Sequence, residues 1–391
     1  MGLKEEMHDH LVNDILPYWM KKTVDVEQGG FFGRIDGTET LHVKADKGCV
    51  LNARILWTFS AAYNHFQDTE YLEIAGRAFN YLINHFVDEE YGGVFWMVDY
   101  FGNHSETKKQ IYAQAFAIYG LSEYYKASKN IRALDVAKEL FNVIEKHAFD
   151  RKENGYFEAY DRHWSLLEDL RLSDKDANEK KTMNTHLHVL EAYTALYEIW
   201  KDKFLEKQLK NLVKLFLDKF INKENHRFML FFDEYWLSKS DDISFGHDIE
   251  GSWLLQKAAE KLDSWLLIRR TKKLAVAMVN AVMENGMDAD GGIMYEAEPD
   301  GIRDTDKHWW PQAEGIVGFV NAWQNTGDEK YLQRAEAIWQ YIKKYIIDTT
   351  HGEWWYRVTK DGLPYVVEDK VGPWKGPYHN GRACLEIIKR L

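Results

Sequence analysis

The sequence predicts an all-α fold, an (α/α)6 barrel of twelve helices with short β-hairpins at one end. The first observation is a repeat: six segments share a turn, usually glycine-based, that is followed by a burst of aromatic residues. These segments are residues 29–32, 92–96, 155–157, 227–232, 291–295 and 352–356. The second observation is that the stretches between them have helical hydrophobic periodicity. A supersecondary unit that recurs at a regular period indicates a repeat architecture.

The helical pattern divides into twelve elements. The first, residues 3–20, aligns Met7, Leu11 and Ile15 on one stripe. The others are expected near 47–65, 69–86, 109–127, 131–148, 181–200, 204–221, 246–263, 267–285, 309–325, 329–347 and 377–390. A strand-like hairpin follows every odd-numbered helix, and Asp-Gly steps such as Asp361-Gly362 mark the turns.

Short and long connections alternate between these helices. Antiparallel helices joined in this way can close into two concentric rings of six, with an open solenoid as the alternative arrangement. Because all the long hairpin connections fall at one end, they are expected to wall a single cavity. The even-numbered helices follow the hairpins, so their N-terminal ends are expected to point into that cavity.

Composition narrows the class of protein. The chain of 391 residues has only six prolines and no linker-like stretch, so we expect one catalytic domain, residues 1–391. A net charge of -12 argues against nucleic acid as a partner, since phosphate binding needs a basic face. Cys49 and Cys384 give no disulfide framework or metal site. With no evident leader or long apolar run, a cytoplasmic location is expected.

Unusual polar residues cluster at the starts of the even-numbered helices. They are Asn52, Arg54, Tyr112, Gln114, Asn184, His186, His188, His247, Glu250, Trp310, Gln312, Glu314, Tyr378, His379 and Arg382. A single histidine on an amphipathic helix is usually structural, but one cluster in each repeat favours a site. His186 and His188 diverge on a helix, so one faces the cavity and the pair suits no metal.

The residue types suggest proton transfer at a sugar carbon. Histidine both takes and gives a proton near neutral pH. The three histidines expected in the cavity are His188, His247 and His379. Of these, His247 and His379 are placed to flank a substrate. Two bases on opposite faces of a carbon next to a carbonyl can invert its configuration through an enediolate. Arg54 is a candidate clamp for the oxygen charge, or alternatively a core ion-pair partner of Glu250 or Glu314. Aromatic residues in polar surroundings suit the apolar faces of sugar rings.

Five strips of sequence carry a resemblance to a known family. They are residues 52–54, 183–193, 246–250, 309–314 and 375–379. Through them the chain resembles, over essentially its whole length, the cellobiose 2-epimerases of the N-acylglucosamine 2-epimerase superfamily. The resemblance implies an (α/α)6 barrel and an isomerase that inverts C2 of a reducing-end sugar without a cofactor or metal. It does not distinguish among cellobiose, mannobiose and lactose.

The resemblance also implies a role for each candidate residue. His247 and His379 are the acid/base pair, His188 assists them, and Arg54 binds the carbonyl oxygen. The residues implied to bind substrate hydroxyls or stack on the sugar are Tyr112, Asp176, Asn184, Glu250, Glu314, Trp310 and Trp374.

Other functions remain open at this point. An aldose–ketose isomerase of the same superfamily uses the same enediolate but delivers the proton to C1. A glycoside hydrolase would use two carboxylates, such as Glu250 with Glu314 or Asp176, although it needs no histidines. A sugar-binding module would explain the aromatic residues only. The expected partner is a small-molecule disaccharide, not a nucleic acid or a membrane, and the expected assembly is a monomer or weak homo-oligomer.

Overall fold

The computed structural model describes residues 2–391 and contains twelve helices in that range. Three helices, α1 (3–22), α7 (203–220) and α11 (329–346), each include a π-helical segment, which is Leu11–Ile15, Phe216–Phe220 or Ile342–Ile346. The other helices are α2 (Cys49–Phe66), α3 (Thr69–His85), α4 (Ile111–Ser128), α5 (Ile131–His147), α6 (Met183–Ile199), α8 (Phe245–Lys261), α9 (Trp265–Asn285), α10 (Trp309–Thr326) and α12 (Tyr378–Arg390).

The helices form two concentric rings. Each even-numbered helix packs on the next one, and α12 packs on α2, which closes the inner ring. Inner helices are buried on almost every side, whereas outer helices such as α5 bury one face only. This contrast is what a helix enclosed by a second layer requires. The (α/α)6 barrel predicted from the sequence is therefore confirmed. None of the helices within residues 2–391 combines the length and apolarity needed to cross a bilayer.

Short turns join each inner helix to the following outer helix. The turn from α2 to α3 shows the device: Gln67 adopts a left-handed conformation (φ 60°), and the Asp68 side chain then accepts a hydrogen bond from the Glu70 N–H. Asn130, Asp202 and Asp328 cap α5, α7 and α11 in the same manner. A capping carboxylate or amide satisfies a backbone donor that the helix leaves free.

Within residues 2–391, fourteen short strands lie at the opposite end of the barrel. They are β1 (Ile35–Asp36), β2 (Lys47–Gly48), β3 (Met97–Val98), β4 (His104–Glu106), β5 (Lys109–Gln110), β6 (Ala159–Tyr160), β7 (Lys181–Thr182), β8 (Phe231–Phe232), β9 (Ile243–Ser244), β10 (Glu296–Glu298), β11 (Gly301–Asp304), β12 (Lys307–His308), β13 (Arg357–Val358) and β14 (Asp369–Val371). They make six antiparallel sheets. Each sheet joins neighbouring connections, as in β7 with β8, and β1 with β14 joins the first connection to the last.

A buried ion pair fastens five of the six long connections. Each pair joins an aspartate just after an outer helix to a lysine no more than 1% exposed in the last strand before the inner helix. The pairs are Asp25–Lys47, Asp88–Lys109, Asp150–Lys181, Asp288–Lys307 and Asp348–Lys370.

The fourth connection is the exception and carries neither charge. Asn222 occupies the aspartate position and Ile243 occupies the lysine position. Both partners are therefore replaced by uncharged residues together. This is the expected outcome when an unpaired buried charge costs more than losing the pair.

We expect Lys181→Ile alone to lower the free energy of unfolding by about 3–5 kcal/mol, because Asp150 is left buried without its cation. Adding Asp150→Asn, which reproduces the pair of the fourth connection, should recover at least half of that loss. Denaturant unfolding of both variants measures the difference. A double variant no more stable than Lys181→Ile would show that the unpaired charge is not the cause.

Candidate active site

A cavity of about 710 Å³ opens at the hairpin end of the barrel. Its wall is built from the first turns of the inner helices and from the long connections. Ten of the residues predicted from the sequence line it: Arg54, Tyr112, Asp176, Asn184, His188, His247, Glu250, Trp310, Trp374 and His379. Glu314 is not part of the wall and lies beneath it.

The position of each residue relative to the last strand decides which way its side chain faces. In α4, α6 and α10, the residue five positions after the first residue of that strand binds the backbone of the aromatic turn. Gln114 accepts from the Val94 N–H at 2.6 Å and donates to the Val94 carbonyl at 2.8 Å. His186 accepts from the Tyr156 N–H at 2.8 Å. The polar character of Gln114 and His186, and of Gln312 in α10, is thus explained by these backbone contacts.

The position seven residues after the first residue of that strand faces the barrel axis. In α2, α4, α6, α8 and α10 its occupants are Arg54, Phe116, His188, Glu250 and Glu314, and the matching axial residue of α12 is Arg382. They contact one another across the barrel: the Arg54 guanidinium lies 4.5 Å from the Phe116 ring centre, and that ring lies 4.6 Å from the His188 ring. One equivalent position in each repeat therefore supplies a layer of different chemistry.

His379 is anchored from below by Glu314. Its Nδ1 lies 2.7 Å from Glu314 Oε1, and Trp253 Nε1 donates to the other oxygen of that carboxylate at 3.1 Å. Burial, followed by the charges of Arg54 and Arg382, holds the pKa of His379 well below its usual range. A neutral imidazole that donates through Nδ1 has a lone pair on Nε2.

His188 has the same arrangement. Its Nδ1 lies 3.1 Å from Glu191 Oε2, and the Tyr378 hydroxyl donates to the same carboxylate at 2.6 Å. Burial lowers the pKa of His188, and the neighbouring Glu191 offsets part of that effect. Burial alone would raise the pKa of Glu191, but Arg382 and His188 outweigh it and lower this pKa to about 2. Glu191 is therefore ionised at neutral pH.

His247 has a hydroxyl behind it instead of a carboxylate. Ser244 Oγ lies 2.7 Å from His247 Nδ1. Loss of hydration, followed by the nearby His188, lowers the pKa of His247 to about 3. The Trp310 ring contacts His247 at 4.8 Å and His379 at 5.7 Å between ring centres. The indole on α10 thus touches the histidines of both neighbouring inner helices.

Arg382 gathers three carboxylates under the cavity floor. It is fully buried, its Nη2 donates to Glu250 at 2.7 Å and to Glu314 at 2.6 Å, and its Nη1 donates to Glu191. Burial and the nearby Glu314 raise the pKa of Glu250 to about 8, so this carboxyl holds a proton at neutral pH. Glu250 is thus able to donate a hydrogen bond into the cavity that it lines.

The alternative prediction that Arg54 is a core ion-pair partner is wrong. Arg54 does not pair with Glu250 or Glu314, because Arg382 takes that place. Its Nη1 donates to the Trp374 carbonyl at 2.7 Å and its Nη2 donates to the Tyr112 hydroxyl at 3.0 Å. No carboxylate among residues 2–391 forms an ion pair with Arg54, so its positive charge is available at the cavity wall.

The remaining predicted residues lie in the upper wall. Asp176 belongs to the connection between β6 and β7, where its carboxylate accepts from the Ser173 N–H and hydroxyl, both at 2.9 Å. Burial raises its pKa. Asn184 has a buried amide oxygen without a hydrogen-bond partner among the described residues. His308 and Tyr295 also line the cavity and stack with 3.7 Å between ring centres, although the sequence did not indicate them.

The residues missed in the sequence include those that hold the histidines. Glu191 stands three positions after His188 on α6, and Ser244 stands three positions before His247. Side chains three apart on a helix are neighbours, so this spacing was an available signal for Glu191. The partnership of Glu314 with His379 joins different helices and has no local signal.

One group of possible metal ligands lies in the site. Oxygen or nitrogen atoms of Glu250, Glu314 and His379 come within 4.8 Å of one another. The Arg382 guanidinium already donates to both carboxylates. Its positive charge and its hydrogen bonds occupy the place that a cation would need, so these residues do not fit a metal ion.

The comparisons with known proteins agree with this architecture. The family model of N-acylglucosamine 2-epimerase (GlcNAc 2-epimerase) matches residues 30–383. A cellobiose 2-epimerase from Bacteroides fragilis is 51% identical over 387 residues, which is 99% of this chain and 98% of that protein. The solved cellobiose 2-epimerase from Bacillus thermoamylovorans is 41% identical with a TM-score of 0.95, covering 99% of both chains.

A more distant structure shares the fold alone. A crystal structure of D-mannose isomerase is 21% identical with a TM-score of 0.88 and covers 100% of both chains. The family model and the full-length relatives, in contrast, extend across the helices that carry the histidines, the carboxylates and Arg54. The chain therefore belongs to the N-acylglucosamine 2-epimerase family and is an epimerase.

Proposed function

We propose that the protein inverts C2 of the reducing-end sugar of a β-1,4-linked disaccharide, converting cellobiose to glucosyl-mannose without a cofactor. Mannobiose and lactose are further candidate substrates. The observation that carries this proposal is the convergence of His188, His247 and His379 from three inner helices on one cavity. Each has Nδ1 bonded to a protein group, which leaves Nε2 for proton transfer. The names of the full-length relatives support the disaccharide class.

The chemistry begins with the open-chain aldehyde form of the reducing-end sugar. One histidine takes the proton from C2, the C–H electron pair moves into a C1–C2 double bond, and the carbonyl oxygen becomes the enediolate oxygen. A proton delivered to C2 from the opposite face by the second histidine reverses the configuration. His247 and His379 serve as this pair, and the negative intermediate favours the protonated form of an adjacent imidazole.

Two groups are assigned to the oxygen charge. Arg54 has no carboxylate partner in the described part of the chain, and its guanidinium is held by the Trp374 carbonyl and the Tyr112 hydroxyl. A cation fixed in this way before reaction stabilises charge as it develops. The protonated Glu250 carboxyl supplies a hydrogen bond to a substrate oxygen. Asp176, Asn184 and Tyr112 are assigned to hydroxyl groups.

The aromatic residues are assigned to the faces of the sugar rings. Trp310 and Trp374 both line the cavity, and Trp310 contacts the two histidines of the acid/base pair. Glu314 is assigned differently from the sequence-based expectation. Because its carboxylate is buried and bonded to His379 and Arg382, we assign it to holding His379 rather than to a substrate hydroxyl.

The two alternative enzymes, a glycoside hydrolase and an aldose–ketose isomerase, would require different features of this cavity. A hydrolase needs two carboxylates on either side of a glycosidic bond. Here Glu314 lies outside the cavity wall, and Glu250 accepts a hydrogen bond from the same Arg382 guanidinium as Glu314. An aldose–ketose isomerase needs the same histidines and room for one sugar. The volume of about 710 Å³, extended by the connection that carries Asp176, favours a disaccharide.

We expect cellobiose to become glucosyl-mannose with the total amount of disaccharide constant. In heavy water, deuterium should enter C2 of the reducing-end residue of the product, because an imidazole exchanges its proton with solvent. NMR of the products shows both whether the glycosidic bond is intact and which carbon carries the deuterium. Free glucose that appears as cellobiose disappears would support the hydrolase. A ketose with deuterium at C1 would support the isomerase.

Replacing either member of the acid/base pair should remove proton transfer and spare binding. We expect His247→Ala and His379→Ala to lower kcat by about 10²–10⁴-fold, with a much smaller change in substrate affinity. His186→Ala is the matched control, because His186 bonds only to backbone groups and should affect stability more than kcat. Near-normal turnover in either test variant would remove that histidine from the mechanism.

Turnover should survive exhaustive treatment with EDTA. The reason is the Arg382 guanidinium, which occupies the place between Glu250 and Glu314 where a cation would bind. Steady-state rates before and after chelation, with the metal content measured in parallel, test this expectation. Activity that disappears with EDTA and returns with one divalent ion would contradict the cofactor-free mechanism.

A further inference from the structure

We propose that Arg382 is a positioning residue that couples the protonation of His188 to that of His379. This inference rests on the function proposed above. The coupling path is a continuous chain of hydrogen bonds beneath the cavity. His188 bonds to Glu191 at 3.1 Å, and Arg382 donates to that carboxylate through Nη1. Through Nη2 it donates at 2.6 Å to Glu314, whose same oxygen lies 2.7 Å from His379.

Arg382 cannot act by touching the substrate. It is fully buried and does not belong to the wall of the cavity. Its guanidinium lies between two rings, 4.8 Å from the Trp253 centre and 4.2 Å from the Tyr378 centre. The planar cation is therefore fixed in orientation, with its donors directed at the carboxylates. An influence on the reaction has to pass through those carboxylates to the histidines.

At both ends of this hydrogen-bond path, the carboxylate accepts and the imidazole donates. An ionised carboxylate only accepts hydrogen bonds, so it selects the imidazole tautomer with the proton on Nδ1. Glu191 does this for His188. Glu314 faces His379 Nδ1 in the same way and accepts from Arg382 and Trp253; burial raises the pKa of Glu314, and the charge of Arg382 opposes that effect. Both carboxylates depend on the same guanidinium for compensation of their charge. A proton gained by one histidine thus changes the charge balance that the other histidine experiences.

Other charged and titratable groups surround the two histidines and enter the same balance. They come from all six inner helices and are Arg54 on α2, Tyr112 on α4, Glu191 on α6, His247 and Glu250 on α8, Glu314 on α10, and Tyr378 and Arg382 on α12. Among them, Arg382 alone donates to Glu191, Glu250 and Glu314 together. The positive charge of Arg382 lowers the pKa of both His188 and His379, so removing that charge is expected to raise both pKa values.

The kinetic test compares Arg382→Gln with Arg382→Lys. For Arg382→Gln we expect kcat to fall by about 10²-fold, the lower end of a general acid–base contribution, while KM changes little. The acid limb of the kcat profile should move up by about one pH unit, since both histidines then hold a proton to higher pH. Arg382→Lys keeps the charge and should return the acid limb close to its original position.

Arg390→Gln is the matched control. Arg390 stands on the same helix two turns further on and is ion-paired with Glu386 at 3.0 Å, outside the cavity wall. Its loss should leave kcat and the pH profile unchanged. A purely structural role for Arg382 predicts a lower unfolding temperature but an unchanged pH profile for the molecules that remain folded. That result would overturn the proposal.

A second measurement does not need turnover. Nitrogen NMR of the imidazoles reports the tautomer and the titration midpoint of His188 and His379 in the unliganded protein. We expect Glu191→Gln, which keeps the size of the side chain, to change the tautomer balance of His188 and also to lower the midpoint of His379. This variant carries the test even where Arg382→Gln fails to fold.

The NMR outcomes separate the two proposals. If the titration midpoint of His379 is unaffected by Glu191→Gln, the coupling is absent whatever reaction the enzyme catalyses. If the coupling is present but cellobiose is not epimerised, the function proposed above fails while the role of Arg382 stands.

Discussion

The buried lysine–aspartate pair is the interaction on which the placement of the site depends. Each pair ties the turn after an outer helix to the strand that leads into the next inner helix. Since this strand runs directly into the helix in the first, second, third and fifth repeats, the pair also fixes the rotation of the helix about its own axis. The lysines of these pairs are no more than 1% exposed, so solvent and salt screen the pairs less than they screen a surface ion pair.

Fixing that rotation assigns a different task to each position in the first two turns. The residue five positions after the start of the last strand holds the aromatic turn, as Gln114 illustrates, and the residue seven positions after it reaches the barrel axis, as His188 illustrates. The cavity is therefore built by one geometry that the first five repeats share, each with different side chains. The last repeat departs from it, because residues 372–377 separate β14 from α12. This insertion brings Trp374 into the cavity wall and supplies the carbonyl that holds Arg54.

Much of the fold could be predicted from the sequence, because helical periodicity and aromatic turns are local signals. The same holds for the residues at the starts of the inner helices, where polar side chains interrupt an apolar pattern. What escaped prediction depends on contacts between repeats. The six sheets join different connections, and the partnership of Arg382 with Glu191, Glu250 and Glu314 joins four inner helices. The sequence analysis therefore named Arg54 as the possible ion-pair partner of Glu250 or Glu314, a place that Arg382 takes in the structure.

The compensation for buried charge also explains how weakly basic histidines can serve the proposed reaction. Burial lowers the pKa of His188 and His379, which keeps both imidazoles neutral and able to accept a proton. Their carboxylate partners then stabilise the imidazolium that forms. His247 lacks such a partner, since Ser244 stands behind it. In the proposed reaction, the two faces of the substrate therefore meet imidazoles that are supported differently, by a carboxylate behind His379 and by a hydroxyl behind His247.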